Sequence, residues 1–539
     1  MATKVGSASV EAMAIKRLVK RRTAVRTTVF TLAVSIGAVL LGAASWIRRT
    51  FGPISVDQML MHLPGAGGAE TTGAESGYVV TFLLQAIVLP LGVVVVALAI
   101  AVANHRFKRP ELANVSKVRK GLERIADSIR LVRWVPCALS VGVFVLGAAV
   151  FVQAVGLPQY IRSSQTSLTM GSYYAAPTLG DARAVSSEAN VGDKKNLVLI
   201  FLESMETALA DDELFEANML APLEEATEGW ETIPALEQYP GGGWTMAGIV
   251  GTECGVPLRG PGVGKSDINS NDIGVYSESY LPGATCLGDV LSDAGYTNTF
   301  LGGADAEFAA KENFLRSHGY DVVKDLPYWQ ESGETEFSDW GLSDRALMEQ
   351  AKHEVTELHE SGVPFNLTLL TLDSHEPSNI FDYCSADTKS PMVSASRCSM
   401  EQVAGFVNYL DEMGYLEDTV VVLTGDHRKM ISEGGNFWDE LSAHDDRTIF
   451  NRFWTPDEIS IARERTDQLS MFPTMLDLLD LGREDKKGGI GVSALVSKTE
   501  GMSVLDLGDG EYAEVVESRS ADLYRDLWRS IRTNAEIPE

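Results

Sequence analysis

Three apolar segments in the first 157 residues, at 27–47, 78–103 and 134–155, constrain this chain more than any other feature. None contains an Asp, Glu, Lys or Arg, and each is long enough to cross a hydrocarbon core of about 30 Å as a helix. Buried core helices are seldom so long and so uniformly apolar, so residues 1–156 are expected to form a bundle of three transmembrane helices. The flanking charges orient that bundle. Lys4, Lys16, Arg17, Lys20, Arg21, Arg22 and Arg26 precede the first segment, residues 104–133 carry nine Lys/Arg, and residues 48–77 carry only Arg48 and Arg49. The positive-inside rule places the two basic segments in the cytoplasm. An odd number of spans then delivers everything after residue 157 to the outer face of the plasma membrane. A signal peptide ending near Ala43–Ala44–Ser45 is the other reading of the first segment. Its apolar run is long for one, and cleavage would leave the later topology unchanged.

The charge divides at the same place. Residues 1–157 hold 18 Lys/Arg against 7 Asp/Glu, so a net charge of −29 for the chain leaves the remainder near −40. So acidic a domain argues against nucleic acid as a partner, because that recognition neutralises phosphates with basic groups; it fits a well-solvated outer surface. Cys137 lies in the third apolar segment and reads as packing. Cys254, Cys286, Cys384 and Cys398 all fall in the external part, where disulfides form. Three pairings are open. Proximity along the chain favours Cys254–Cys286 and Cys384–Cys398, and the lack of any C-x-x-C spacing disfavours a zinc site.

Residues 157–195, rich in Ser, Gly and Ala, are expected to be a juxtamembrane connector. Apolar runs of strand length follow, at Asn196–Leu202 (NLVLIFL), 296–301, 365–372 and 419–423, with helical-looking stretches at 344–359 and 400–412. Apolar strands alternating with helices predict an α/β domain over 196–507, its largely parallel sheet covered on both faces. Residues 508–539 read as a tail ending in a helix at 520–532. Ligands of such sheets gather beyond the carboxyl ends of the strands. Glu203 stands there after the first run, Asp373 and His375 after the third, and Asp426 and His427 after the fourth.

Between the first two runs, residues 241–258 read GGGWTMAGIVGTECGVPL and set a lone hydroxyl, Thr245, behind three glycines at what looks like a helix start. The plain reading of Thr245 is a helix N-cap. The other is a nucleophile towards a phosphoryl group, because glycines let backbone approach a ligand and helix starts attract anions. Glu203, Asp426 and His427, with Thr245 as a fourth ligand, would suit a divalent cation. The oxygen-rich set leans to Mn²⁺ or Mg²⁺, with Zn²⁺ as an alternative. Coordination supplies what a free alcohol lacks, by stabilising its alkoxide at neutral pH. Singly, Glu203 reads as a cap or surface group, Asp426 as the cap of a following helix and His375 as a surface histidine. Their common position at strand ends of one sheet favours a site.

The blocks NLVLIFLES, GGGWTMAGIVGTECGVPL, CLGDVL, DWGLSD, LTLDSHEP and VVVLTGDH, in that order, resemble those of membrane-anchored phosphoglycerol transferases. That group, which includes the lipoteichoic acid synthases, belongs to the alkaline phosphatase/sulfatase-like superfamily. The resemblance covers about residues 196–507 and looks most like the members that decorate periplasmic glucans. It implies an alkaline-phosphatase-like α/β fold, a nucleophile at Thr245, and Mn²⁺ or a similar cation on Glu203, Thr245, Asp426 and His427. It also implies a substrate-contacting histidine at His375. By the same resemblance the donor is a phosphatidylglycerol-type lipid and the acceptor a glycan or polyol-phosphate hydroxyl, with glycerophosphate carried on the threonine between them. Lipoteichoic acid synthases line their glycerol-phosphate pocket with an Asp, a Trp and an Arg; the matching positions in 303–311 (GADAEFAAK) hold Ala304, Ala309 and Lys311. Lys311 can meet phosphate as a point charge, without the fork of arginine. Phosphoethanolamine transfer and phosphodiester hydrolysis share the same threonine and metal, and a non-catalytic lipid- or glycan-binding module is the rival outside enzymes. A sulfatase fits less well, because its formylglycine motif is C-x-P-x-R and residues 254–259 read CGVPLR.

Overall fold

The computed structural model describes residues 4–52, 54, 56, 79–107, 135–166, 168–177, 194–260 and 279–529, and the chain falls into two compact units that divide near Pro158. The N-terminal unit contains α1 (Lys4–Phe51), a π-helical turn (Leu83–Val88) running into α2 (Leu89–Phe107), and α3 (Val135–Ala154). Val25–Phe51 and Val79–Ile100 are long and apolar enough to cross a membrane, and a third span is reached when Ala138–Ala154 is counted with Leu157–Ser163, to which it is bent by 58°. The helices α1 and α3 meet at glycines. A Cβ on Gly147 would come within 2.3 Å of the Gly37 carbonyl oxygen. Small residues allow this approach between apolar helices, for which lipid offers no hydrophobic drive to associate.

The second unit is built on a six-stranded sheet. Its strands are β1 (Asn196–Leu202), β2 (Thr297–Gly302), β3 (Val322–Lys324), β4 (Phe365–Leu370), β5 (Thr419–Gly425) and β6 (Asn451–Trp454), in the order β3-β2-β4-β1-β5-β6. All pairings are parallel except β5–β6. Every residue of β1 is buried, because neighbouring side chains point to opposite faces and helices cover both. Leu197, Leu199 and Phe201 join the apolar cluster containing residues of α4 (Thr245–Cys254), α5 (Leu287–Asp293), α6 (Lys311–Ser317) and α9 (Met471–Leu478). Val198, Ile200 and Leu202 join the cluster of α7 (Asp344–Glu360) and α8 (Pro391–Glu412).

The expected strands are all present within two residues of their anticipated ends. Helix α8 begins nine residues earlier than expected, at a Pro in the first turn, and buries Met392 and Val393 there. The segment read as a tail is packed into the first cluster through Tyr512, Val515, Val516, Tyr524 and Leu527. Its helix spans Ala521–Leu527, and the Trp528 indole N–H donates to the Arg259 carbonyl at 2.9 Å. Met170, from the expected connector, lies in the same cluster, with its N–H on Ser520 Oγ at 2.8 Å. Residues 178–193 of the connector and 530–539 of the tail lie outside the described residues.

Candidate active site

The carboxyl ends of β1 and β5 lie side by side, with Leu202 in register with Gly425. The next residue of β1 is Glu203 and the next two of β5 are Asp426 and His427, all three buried. Their ligand atoms lie within 4.8 Å of one another. The chain leaves β1 through Ser204, whose φ of 59° is costly for a side-chain-bearing residue. That turn aims the Ser204 N–H at Asp426 Oδ1 (2.8 Å) and its hydroxyl at Glu203 Oε1 (2.7 Å). Asp426 Oδ1 also accepts the His427 N–H at 2.8 Å, while Asp426 Oδ2 is buried with no hydrogen-bond partner.

Charge in the cluster is unevenly held. Burial works to raise the Glu203 carboxyl, but His375, His427 and Lys429, together with the Ser204 hydroxyl, outweigh it and hold it at about 2. Burial and the charge of Glu203 push Asp426 up to about 7. His427 Nδ1 lies 2.8 Å from the Arg428 carbonyl, which in the neutral ring takes the N–H and leaves the lone pair on Nε2, the nitrogen that faces Glu203 Oε1 (4.0 Å) and Asp426 Oδ2 (3.4 Å). An orphaned carboxylate oxygen, a second carboxylate and a nitrogen lone pair converging in a buried space fit a divalent cation.

Thr245 opens α4, and Trp244, not Thr245, holds the N-cap position. The hydroxyl does not cap the helix. It points to Glu203 Oε2 at 3.5 Å, at the outer limit of hydrogen bonding. Of the preceding glycines, Gly241 has φ +95°, and a Cβ there would meet the Arg259 guanidinium at 2.8 Å. The start of α4 and the Glu203–Asp426–His427 cluster meet at the same half-buried hydroxyl.

Further groups surround this centre. His375 Nδ1 lies 2.8 Å from the Glu376 carbonyl, which in the neutral ring puts the N–H on Nδ1 and the lone pair on Nε2, and burial with Lys429 nearby outweighs Glu203 to hold the ring below its ordinary value. Trp340 stands edge-on to His375, ring centroids 4.2 Å apart, and donates its indole N–H to the Glu376 carbonyl at 3.1 Å. Lys311 is buried, and that burial lowers its pKa against the opposing charges of Asp305, Asp325, Glu203 and Asp426. It follows two successive residues, Ala309 and Ala310, with φ of 54° and 60°. Lys429, also buried, pairs with Glu376 at 3.2 Å. Asp373, by contrast, turns away from the centre. It accepts the Asp344 N–H at 2.9 Å, Asp344 accepts the Asp373 N–H at 3.0 Å in return, and burial with the charge of Asp344 pushes Asp373 up to about 9.

Sequence reasoning assigned no role to Ser204, Trp340 or Lys429. Ser204 and Lys429 lie within two residues of a site residue, and Trp340 lies in the DWGLSD block, so proximity and the block were the available signals. Cysteine pairing follows the local expectation: Cys254 is bonded to Cys286 and Cys384 to Cys398. Cys254 therefore has no free thiol for conversion to formylglycine.

Phosphoglycerol transferase I of Xanthomonas axonopodis pv. citri is 39% identical over 248 residues, 44% of this chain and 34% of that one. Phosphoglycerol transferase I of Escherichia coli O139:H28 is 31% identical over 323 residues, 56% of this chain and 39% of that one. The chain thus spans well under half the length of these curated relatives. Among solved structures, the lipoteichoic acid synthase LtaP from Listeria monocytogenes is similar at 17% identity and a TM-score of 0.49, over 65% of this chain and 96% of that one. The family model described as Sulfatase matches residues 195–481, more than half of the 539, and the chain belongs to that family.

Proposed function

We propose that this chain is a metal-dependent phosphotransferase that moves glycerophosphate from a phosphatidylglycerol-type lipid to a glycan or polyol-phosphate hydroxyl at the outer face of the membrane. The observation that carries the reading is the Thr245 hydroxyl, at the head of α4 and 3.5 Å from Glu203 Oε2, beside the buried Asp426 and His427. Glu203, Asp426, His427 and Thr245 would hold the cation, and the oxygen-rich set favours Mn²⁺. A divalent cation bound there would lower the pKa of the Thr245 hydroxyl and offset charge on the phosphoryl oxygens.

In the first step Thr245 Oγ attacks phosphorus. The Oγ–P bond forms as the bond to the diacylglycerol oxygen breaks, and the hydroxyl proton ends on that departing oxygen. In the second step the acceptor oxygen attacks the same phosphorus and the Oγ–P bond breaks. His375 Nε2, left with its lone pair, takes the acceptor proton and returns it to Thr245 Oγ. Lys311 and Lys429 supply positive charge on the phosphate, and the first turn of α4 presents backbone N–H groups to it. The apolar N-terminal helices keep the domain at the surface where a lipid donor resides.

Mass spectrometry of the full chain after exposure to phosphatidylglycerol tests this reading. A glycerophosphate adduct on Thr245 is expected, and Thr245→Ala should abolish both adduct and transfer. Full transfer by Thr245→Ala would overturn the nucleophile. A phosphoethanolamine adduct, formed only with phosphatidylethanolamine, would reassign the donor.

A further inference from the structure

The peptide joining Glu203 to Ser204 is gripped by the loops that follow both strands beside β1. The main-chain ladder of β1 ends just before it, with the Thr371 N–H on the Phe201 carbonyl at 3.0 Å and the Asp426 N–H on the Leu202 carbonyl at 3.2 Å. Past that point side chains take over. The Glu203 N–H donates to Thr371 Oγ1 at 2.9 Å, and the Glu203 carbonyl accepts the Ser374 hydroxyl at 2.8 Å. The Ser204 N–H, on the same peptide as that carbonyl, goes to Asp426 Oδ1 at 2.8 Å. One end of the peptide is thus held by the loop after β4 and the other by the loop after β5.

Thr371, Ser374, Glu203 and Ser204 are all buried, so their polar groups need partners inside the protein. The Ser374 bond does more than meet that need. Ser204 holds φ at 59°, a conformation that persists only where the surroundings over-determine it. Rotating the 203–204 peptide would carry the Ser204 N–H off Asp426 Oδ1, the oxygen whose engagement leaves Oδ2 unpartnered and 3.4 Å from His427 Nε2. It would also move the Ser204 hydroxyl from Glu203 Oε1, the bond that leaves Oε2 to Thr245. Ser374 is itself fixed. Asp344 Oδ1 takes the Leu372 N–H at 2.7 Å, and its Oδ2 takes the Asp373 N–H at 3.0 Å and the Ser399 hydroxyl at 2.6 Å, which ties the loop to the start of α7 and to α8.

We propose that Ser374 is a positioning residue of the cation centre, an inference that rests on the metal-dependent reading above. By holding the Glu203 carbonyl it fixes the turn at Ser204, and through that turn it sets which oxygens Glu203 and Asp426 present to a divalent cation. It touches neither the reacting threonine nor the cation ligand atoms. Because His375 follows it directly, the same bond locks the loop of that histidine to Glu203, and the two parts of the centre are held as one unit. Partners that orient metal ligands in this way change metal affinity roughly 10–100-fold when removed.

The test titrates the full chain in detergent with Mn²⁺ alone, reading the free ion by electron paramagnetic resonance, and takes thermal midpoints in chelator as the measure of fold. Ser374→Ala should raise the Mn²⁺ Kd by roughly tenfold or more. Ser374→Thr, which keeps the hydroxyl, should bind Mn²⁺ as the unaltered protein does. Ser518→Ala is the control, because it also removes a buried hydroxyl bonded to a main-chain carbonyl, that of Val515 at 2.6 Å, in the C-terminal segment. It should leave the Kd unchanged whatever it does to the midpoint. The proposal is overturned if Ser374→Ala binds Mn²⁺ normally, if Ser518→Ala weakens binding as much, or if Ser374→Thr with an unshifted midpoint fails as Ser374→Ala does. An unaltered protein that binds no Mn²⁺ would instead overturn the cation reading itself, and this role with it, so the two failures are told apart.

Discussion

A Cβ on Gly248 would lie 1.9 Å from the main-chain carbonyl oxygen of Asp426. The same carbonyl accepts a hydrogen bond from the Gln468 side chain. Helix α4 therefore rests directly on the backbone of the strand end it faces, one turn after Thr245. Gly248→Ala would gain about 1 kcal/mol in helix propensity, but it would drive the helix off Asp426, an overpacking that costs about 1–3 kcal/mol. The expected result is a lower thermal midpoint and loss of bound cation by elemental analysis. Gly405→Ala in α8, where a Cβ meets nothing within 4 Å, should instead leave the cation in place and raise the midpoint.

Glu206 and Arg447 hold the other side of the Asp426–His427 turn. Glu206 is fully buried and takes Arg447 Nε at 2.8 and 3.1 Å, a further bond from Arg447 Nη2, and the Lys429 N–H at 3.0 Å. Arg447 also donates to the Lys429 carbonyl. Removing one partner strands a buried charge at a cost of about 3–5 kcal/mol, so Arg447→Met should lower the thermal midpoint sharply. Glu206→Leu with Arg447→Met should recover much of that loss. Cation affinity should stay weakened in the double variant, because the turn has lost its tether; recovered affinity would show that the pair acts on stability alone.

Cation removal gives a third prediction. Glu203 and Asp426 crowd two carboxylates into one buried space, and a ligand bound only to the folded state stabilises it by about 2.7 kcal/mol at 100 times its Kd. Chelation should therefore lower the thermal midpoint of the unaltered protein, and Mn²⁺ should restore it. Asp426→Asn, with one buried charge fewer, should show little response to either treatment.

The central strands were legible because β1, β4 and β5 are covered on both faces and so are apolar almost throughout. Edge strands β3 (VVK) and β6 (NRFW) are only part-buried and left no such run. Glu203, Asp426, His427 and His375 stood out because each follows a strand. Trp340 reaches the Glu376 carbonyl across 36 residues of sequence and Arg447 reaches Glu206 across 241, contacts that only the folded loops create. Thr245 was legible as a helix start but displaced by one position, since a tryptophan at an N-cap is not a pattern that capping preferences anticipate. The tail was misjudged because its apolar residues are interleaved with acids, and its burial depends on a core built by distant segments.

Glu253 provides a prediction away from the catalytic centre. It is fully buried in α4, accepts the Tyr320 hydroxyl at 3.1 Å through Oε2, and leaves Oε1 with no hydrogen-bond partner. Burial, opposed by the Tyr320 bond, pushes its carboxyl from 4.5 to about 8. The folded protein thus keeps this proton over a pH range in which the unfolded chain has released it. Below about 4.5 both states are protonated and nothing is lost. From there to about 8 stability falls as pH rises, by at most on the order of 4–5 kcal/mol, and above about 8 the loss is constant. Glu253→Gln keeps the shape and removes the proton. Its thermal midpoint in detergent should match that of the unaltered protein near pH 4.5 and exceed it by several degrees at pH 8. Parallel midpoint profiles for the two proteins across that range would show that Glu253 is already ionised in the fold.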